Sequence, residues 1–494
     1  MSKKNGNVFA IGICFFLFAM IAFVTGLQNP MGIIVKTQFG ASNAMSQLGT
    51  LANFIAYAFL GLPAGFILKR KGYKFTALVA VAVGFIGVGI SYLSGVAESF
   101  TVYLLGAFVS GFSMCLLNTV VNPMLNNLGG GGNKGNRLIQ LAGSCNSLAA
   151  TICPYFVALL IGENVEKASI SDANPALFIA MAIFALAFVI VKFSYIPEPD
   201  LEAAKANNEK EEGTKSLIKG ALSYRHFVFG IIAIFLYVGL EVGIPNTVNL
   251  YLTTKTKDQL KEIVVANDST LTALATIEKA KTDTSVVAPV LDLAKLYEDK
   301  AVKEQTPAAL EAKLVKENEE CNDKINNPDY REGKGMDPGA AGAIVGFYWL
   351  LMLVGRLIGS AVGAKVSSRA MVSTVAAVAI VLLSLGILLP ETSVTISLLT
   401  TQPIPVGILL FALCGLCTSV MWGAIFNLAV EGLGKYTSIA SGLFMVMVCG
   451  GGIVPFIQGT VVDAAGFMTS FWVLVVAAAF ILWYALAGSK VKKN

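Results

Sequence analysis

Charge is scarce in this sequence. Asp, Glu, Lys and Arg make up 14% of its 494 residues, against about 25% in soluble proteins, and most of them fall in a few loops and two long inserts. An ordinary water-facing globular fold is thereby excluded. The net charge of +5 forms no folded basic face, so it is no nucleic-acid footprint. Histidine occurs once, as His226 beside Arg225 at the start of an apolar segment, where an interfacial position is expected. The eight cysteines make no disulfide framework: seven lie in apolar segments and Cys321 stands alone outside them. Cys414 and Cys417 are spaced C-x-x-C, but inside an apolar helix that spacing only puts two small side chains on one face. Neither a nucleophile–base pair nor a cluster of metal ligands is present, so we expect no enzyme activity, no metal and no cofactor. The glycines and lysine of GGGGNKG (129–135) lack the G-x-x-x-x-G-K-[ST] order that cradles phosphates and read as a flexible loop. Without a nucleotide site, uphill work must draw on an ion gradient.

What the sequence does contain is apolar residues in long runs. They form 55% of the chain, and the mean hydropathy is +0.70. Twelve runs of about 20 residues match the ~20 that a helix needs to cross a ~30 Å hydrocarbon core. The predicted spans are 8–34, 44–68, 75–95, 101–126, 138–161 and 176–196, then 227–252, 339–363, 370–390, 404–430, 437–462 and 468–488. The expected fold class is an all-α membrane protein of twelve transmembrane helices in two six-helix bundles. Residues 1–197 form the first bundle, 198–226 a linker and 227–494 the second, with 253–338 inserted in it between the seventh and eighth helices. The first run is too long for a signal-peptide core and lacks a small-residue cleavage site, so it remains as a membrane helix.

Lys3, Lys4, Lys69, Arg70, Lys71, Lys74, Lys134, Arg137, Lys365, Arg369, Lys435, Lys490, Lys492 and Lys493 collect on one side of this topology. The short loops of the other side offer little beyond Lys36 and Lys167. Lys/Arg-rich short loops stay in the cytoplasm. Both termini and the linker are therefore expected there, and the 253–338 insert on the opposite side of what we read as a cell inner membrane. The expected protein is a monomer. The linker segment 197–220 is charged, begins with proline and cannot bury a core. The insert is rich in Lys, Glu, Asp, Ala and Leu and includes the helix-favouring LEAKLVKENEE. A small helical hairpin and a disordered loop are both compatible with that composition.

The two halves echo each other. GSCNSLAATICP (143–154) and MVCGGGIVP (447–455) are small-residue stretches ending in proline, each in the fifth helix of its half. Gly26, Gln28, Asn29 and Pro30 in the first helix match Gly239, Glu241, Gly243 and Pro245 in the seventh, as polar breaks before a proline. Paired interruptions in two halves point to a site at the repeat interface, although glycine runs by themselves fit helix packing better.

Polar side chains in hydrocarbon are costly unless they face partners or a wet cavity. The candidates are Gln28 and Asn29 in the first helix, Asn118, Thr119 and Asn122 in the fourth, and Gln140, Ser144, Asn146 and Ser147 in the fifth. Trp422 and Asn427 follow in the tenth and Gln458 in the eleventh, with Tyr348 and Trp349 as further aromatic faces. Asn118 and Asn122, four apart, share a helix face. The expected binding set is Gln28, Asn29, Asn118, Asn122, Asn146, Trp422, Asn427 and Gln458, around a wet, uncharged pocket suited to a small neutral, sugar-like solute. About half of the amides are expected to bond helix to helix instead. Glu241 is the one acidic residue well inside a span. An isolated carboxyl in a low dielectric can take up a proton, which makes Glu241 a candidate proton-coupling residue; pairing with a lysine, an arginine or a backbone group is the alternative. Arg356 lies in the eighth span.

NTVVNP (118–123), Arg137-Leu138 followed by Asn146-Ser147, GRLIGS (355–360), IFNLAVEGLGKYTSIASG (425–442) and GGGIVPFIQG (450–459) carry a resemblance to a known family. With the six-linker-six layout they resemble the major facilitator superfamily, and within it the fucose permease-like branch of sugar transporters, which includes glucose/galactose carriers. GFILKRKGYK (65–74) is similar to a degenerate form of the superfamily's loop motif between its second and third helices. The resemblance spans all but the linker and the insert. It implies a secondary transporter of a hexose or related sugar, a proton-coupled symporter working by alternating access, in which loops 69–74 and 365–369 bias the two facing states. It also carries Asn118, Asn122, Asn146 and Asn427 over as substrate contacts. The branch usually has a glutamate where Asn118 stands, an aspartate near Ile33 and a glutamine near Gly143. This chain lacks both carboxylates, so Glu241 as the proton site, sodium coupling and passive carriage all stay open. Another neutral solute such as an amino sugar or nucleoside, and a non-transporting nutrient receptor, are the alternative readings.

Overall fold

The structure is a computed structural model that describes residues 3–27, 31, 34, 43–129, 132–161, 170–198, 214–282, 307–362, 366–389, 392–397 and 399–491. An apolar chain must satisfy its backbone amides and carbonyls within each segment when no water is at hand, and the helix does so. The molecule is accordingly all-α. The first half holds α1 (Lys3–Gly26), α2 (Leu48–Leu68), α3 (Arg70–Val96), α4 (Phe100–Leu128), α5 (Gly132–Ile161) and α6 (Asn174–Phe193). The second holds α7 (Arg225–Thr253), α8 (Pro338–Val362), α9 (Ser368–Leu388), α10 (Val406–Thr418 with Met421–Val430), α11 (Ile439–Ala465) and α12 (Phe467–Gly488). Among the described residues, ten helices are long and apolar enough to cross a membrane, and the bent pair of α10 makes an eleventh; the apolar stretch of α5, Leu138–Cys153, is shorter.

Three local features depart from the sequence reading, each for an identifiable reason. The expected break before Pro245 is absent, and α7 runs through as one helix. Proline cannot donate to the carbonyl four residues back, here that of Glu241. The Tyr348 hydroxyl of α8 donates to that carbonyl at 3.0 Å instead, so the helix continues. Conversely, 404–430 reads from the sequence as one span with no break noted in it, and α10 bends there by 41°. At the bend the Thr418 and Ser419 hydroxyls donate back to Cys414, Gly415 and Leu416 carbonyls, a pattern that bends helices. His226, expected at an interface, is fully buried, with Nε2 2.8 Å from the Glu431 carbonyl.

Near the start of α3, Gly72 takes φ 85° and ψ 178°, a conformation open essentially to glycine alone. The turn it makes leaves the first amides of α3 without helical partners. The Glu198 carboxylate, beyond α6, accepts from Tyr73 N at 2.6 Å and Lys74 N at 2.9 Å. The two halves join where α2 packs along α11 and α5 along α8. Gly451 and Gly452 pack closely there against Phe54 and Leu51 of α2, while Gly450 lies against the Phe235 backbone of α7 in its own half. That run is therefore packing chemistry.

Residues Tyr251–Met336 form a compact unit of their own. Its helices Lys257–Thr282 and Pro307–Asn326 run antiparallel as a hairpin. Asn267 donates to Glu317 at 3.4 Å and Asn318 to Asp268 at 2.6 Å. The unit closes at its base, where the amides of Lys334, Gly335 and Met336 donate to the carbonyls of Tyr251, Thr254 and Leu252 at 2.7–2.9 Å.

Candidate functional site

A cavity of about 160 Å³ lies between the two halves, lined by α1, α2, α4 and α5 from the first and by α7, α8, α10 and α11 from the second. One water needs ~10–15 Å³ measured this way, so the space suits a small polar solute or several waters. Its aromatic faces are Phe18, Phe54, Tyr57, Trp349 and Trp422, and its amides are Asn118, Asn122, Gln140, Asn146 and Asn246. Of the residues singled out from the sequence, the fold brings Gly26, Asn118, Asn122, Gln140, Asn146, Glu241, Trp349, Arg356 and Trp422 to this cavity.

The three asparagines of the first half are partly committed to structure. Asn118 Nδ2 donates to the Tyr57 hydroxyl at 2.9 Å and to the Met114 carbonyl at 3.1 Å. Asn122 Nδ2 donates to the Asn118 carbonyl at 2.9 Å. Asn146 Nδ2 ties α5 to α1 through the Phe18 carbonyl at 3.0 Å. Each amide nitrogen is thus held in place by its own protein, which orients the side chains of the lining. In the second half, Trp422 packs edge-on against Phe444 and tilted against Tyr237. At one end of the cavity, Asn246 Nδ2 donates across to Gln47 at 3.1 Å and Thr50 at 3.4 Å.

The lining is not uncharged, as the sequence reading had it. Arg356 Nη2 stands 3.4 Å from Glu241 Oε1, with side chains only 11% and 14% exposed. Arg356 Nη1 also donates to the Gly143 carbonyl of α5. Glu241 is therefore a paired carboxylate, and the two formal charges of the lining cancel. Tyr348, buried behind the pair, donates to the Glu241 backbone as described and lies 3.1 Å from the Thr418 hydroxyl.

Two expected contacts do not join the cavity. Asn427 lies beyond the bend of α10 with an exposed side chain; five residues after Trp422 on the same helical segment, it falls on a different face from the one that lines the cavity. Gln458 is fully buried against Gly243 of α7, and its amide oxygen and nitrogen have no hydrogen-bond partner among the described residues; it faces its own half. Gln28 and Asn29 lie outside the described residues. The reading of the sequence missed Tyr57, Thr50 and Asn246, and took Arg356 as a charge without a role. An arginine in an apolar run is itself a functional signal, but its partner, 115 residues away, has no local signature. Tyrosine and threonine in an apolar span carry none either.

The sequence matches the pattern of the Major Facilitator Superfamily over residues 12–266 and 309–494. It is 28% identical to the glucose/galactose transporter of Brucella abortus biovar 1 (strain 9-941), over 99% of this chain and 96% of that protein. It is 20% identical to the L-fucose-proton symporter of Escherichia coli (strain K12), over 94% and 90%. Its fold is similar to the crystal structure of the Major Facilitator Superfamily transporter FucP in the outward conformation, with a TM-score of 0.62 and 18% identity over 97% of this chain and 98% of that one.

Proposed function

The chain belongs to the major facilitator superfamily, and from that premise we propose that it is a proton-coupled carrier of a hexose or related sugar, working by alternating access. One observation carries the reading: the cavity between the halves is lined by amides and aromatic rings, and its only formal charges among the described residues cancel. Amides offer donors and acceptors together, as sugar hydroxyls do, while flat rings cover the apolar faces of a pyranose. A lining without net charge disfavours an anion or a cation. The names of the Brucella and Escherichia relatives support a sugar as the cargo. In this reading Asn118, Asn122, Asn146 and Trp422 contact the sugar, and Glu241 takes up the coupling proton.

The distribution of lysine and arginine supports both termini and the 198–226 linker in the cytoplasm, with the 253–338 insert on the far side of a cell inner membrane. The protein works as a monomer. Loops 69–74 and 365–369 bias its inward- and outward-facing states.

The test is uptake of labelled glucose, galactose and fucose into proteoliposomes, under a pH gradient, under a sodium gradient and under neither. We expect accumulation of at least one sugar under an inward proton gradient only. Glu241→Gln should retain exchange of that sugar less well than wild type and lose the pH dependence of uptake. Accumulation under sodium alone would reassign the ion, and no uptake of any of the three would overturn the cargo.

A further inference from the structure

Among the described residues, Arg356 is the one cation of the cavity lining, and its two arms go to different halves of the molecule. Nη2 meets the Glu241 carboxylate of α7, in its own half, at 3.4 Å; Nη1 meets the Gly143 carbonyl of α5, in the other. Gly143 is suited to that approach. A Cβ there would stand 3.2 Å from Nη1, tighter than ordinary contact, so the guanidinium would have to shift by a few tenths of an ångström, whereas the bare backbone admits it. The guanidinium's rigid fork presents donors in two directions at once, with less freedom lost than a flexible ammonium would give up. The groups facing Glu241 are few. Tyr237 lies one turn earlier on α7, Tyr348 and Arg356 come from α8, and Cys414 and Cys417 of α10 stand behind Tyr348. From the first half, the titratable side chain in the lining is Tyr57; Asn118, Asn122, Gln140 and Asn146 are neutral.

We propose that Arg356 is a positioning residue of the carrier, a strut whose hold across the two halves is set by the charge on Glu241. The inference rests on the reading of Glu241 as the proton site. While Glu241 is a carboxylate, the guanidinium is neutralised and fixed, and its second arm ties α8 to α5 beside the solute. Protonation of Glu241 removes that partner. The guanidinium is then an uncompensated charge in a low dielectric, which is costly until water or solute hydroxyls replace the lost partner. Proton uptake thus favours the occupied or hydrated cavity and loosens the tie between the halves, and proton release restores it. No bond is made or broken beyond that proton transfer.

The experiment compares Glu241→Gln, Arg356→Gln, Arg356→Lys and the double variant Glu241→Gln/Arg356→Gln in the intact protein. Two readouts are needed: exchange and proton-driven accumulation of labelled glucose, galactose and fucose in proteoliposomes, and the thermal unfolding midpoint in detergent without sugar. Each glutamine single variant leaves one charge unpaired, so its exchange should fall roughly tenfold or more and its midpoint should drop. The double variant has no charge left to compensate. It should recover the midpoint and much of the exchange, yet accumulate nothing and ignore pH. Arg356→Lys keeps the charge but not the fork, so it should keep the midpoint and lose accumulation. Arg356→Gln with the wild-type pH profile, a double variant no better than the singles, or a lysine variant that accumulates like wild type would each overturn the proposal. If wild type carries none of these sugars, the cargo reading fails, while the midpoints of the single and double variants still decide whether the pair is coupled.

Discussion

Asn118 and Asn427 are both asparagines in apolar helices and stand alike in the sequence; the fold separates them. Asn118 lines the cavity with its nitrogen anchored to Tyr57 and Met114, whereas Asn427 is exposed beyond the bend of α10. We therefore expect Asn118→Ala to lower sugar exchange at least about tenfold, the scale set by leaving a site's polar partners unpaired, with the protein still present in the membrane. Asn427→Ala should exchange at close to the wild-type rate. Uptake in proteoliposomes at equal protein content measures both, and equal losses in the two variants would place Asn427 back at the site. Gln458 teaches the same lesson from the other side: an intramembrane amide marks a buried polar group, and burial against Gly243 satisfies that description as well as a solute does.

At the level of the helix, apolar run length proved a good guide and polar punctuation a poor one. The Gly-Glu-Gly-Pro stretch of α7 looks like a break, yet Tyr348 from α8 supplies the donor that Pro245 lacks. The smooth-looking apolar run of α10 bends where two consecutive hydroxyls, Thr418 and Ser419, turn their hydrogen bonds back on the helix. Both outcomes depend on which group is nearby to accept or donate. Tyr348→Phe removes the donor and keeps the ring, leaving a buried carbonyl unsatisfied, so it should destabilise the protein by about 1–3 kcal/mol. A lowered thermal midpoint in detergent would show it. An unchanged midpoint would mean that the Glu241 carbonyl needs no partner there and that α7 continues for another reason.

For the molecule as a whole, the orientation in the membrane rests on the placement of basic residues, most of them in short loops where the positive-inside bias acts. In a cysteine-free background, single cysteines at Asn5 and Val491 should react with an impermeant maleimide only when the cytoplasmic face is open to it, and one at Lys261 in the insert only from the opposite face. Asn5 and Val491 labelling from different sides would refute an even number of crossings and, with it, the two-half architecture. The compact hairpin at Tyr251–Met336 was one of two structures its composition allowed; alternating charges on helix-favouring residues permit a hairpin, and the cross-strand pairs Asn267–Glu317 and Asp268–Asn318 select it.

Taken alone, the sequence determined that this is a membrane protein of two helical halves, because hydrophobic length, linker composition and the sidedness of lysine and arginine are properties read along the chain. It also supplied Asn118, Asn122, Gln140 and Asn146 of the cavity's amides as candidates, though not Asn246, since a polar residue in an apolar run is visible but its role is not. The tertiary structure decided which of them meet. Glu241 finds Arg356 115 residues away, Asn118 finds Tyr57 61 away and Asn246 finds Gln47 199 away. A helix shows a side chain to whichever neighbour it packs against, and that choice belongs to the assembled bundle and not to any one segment.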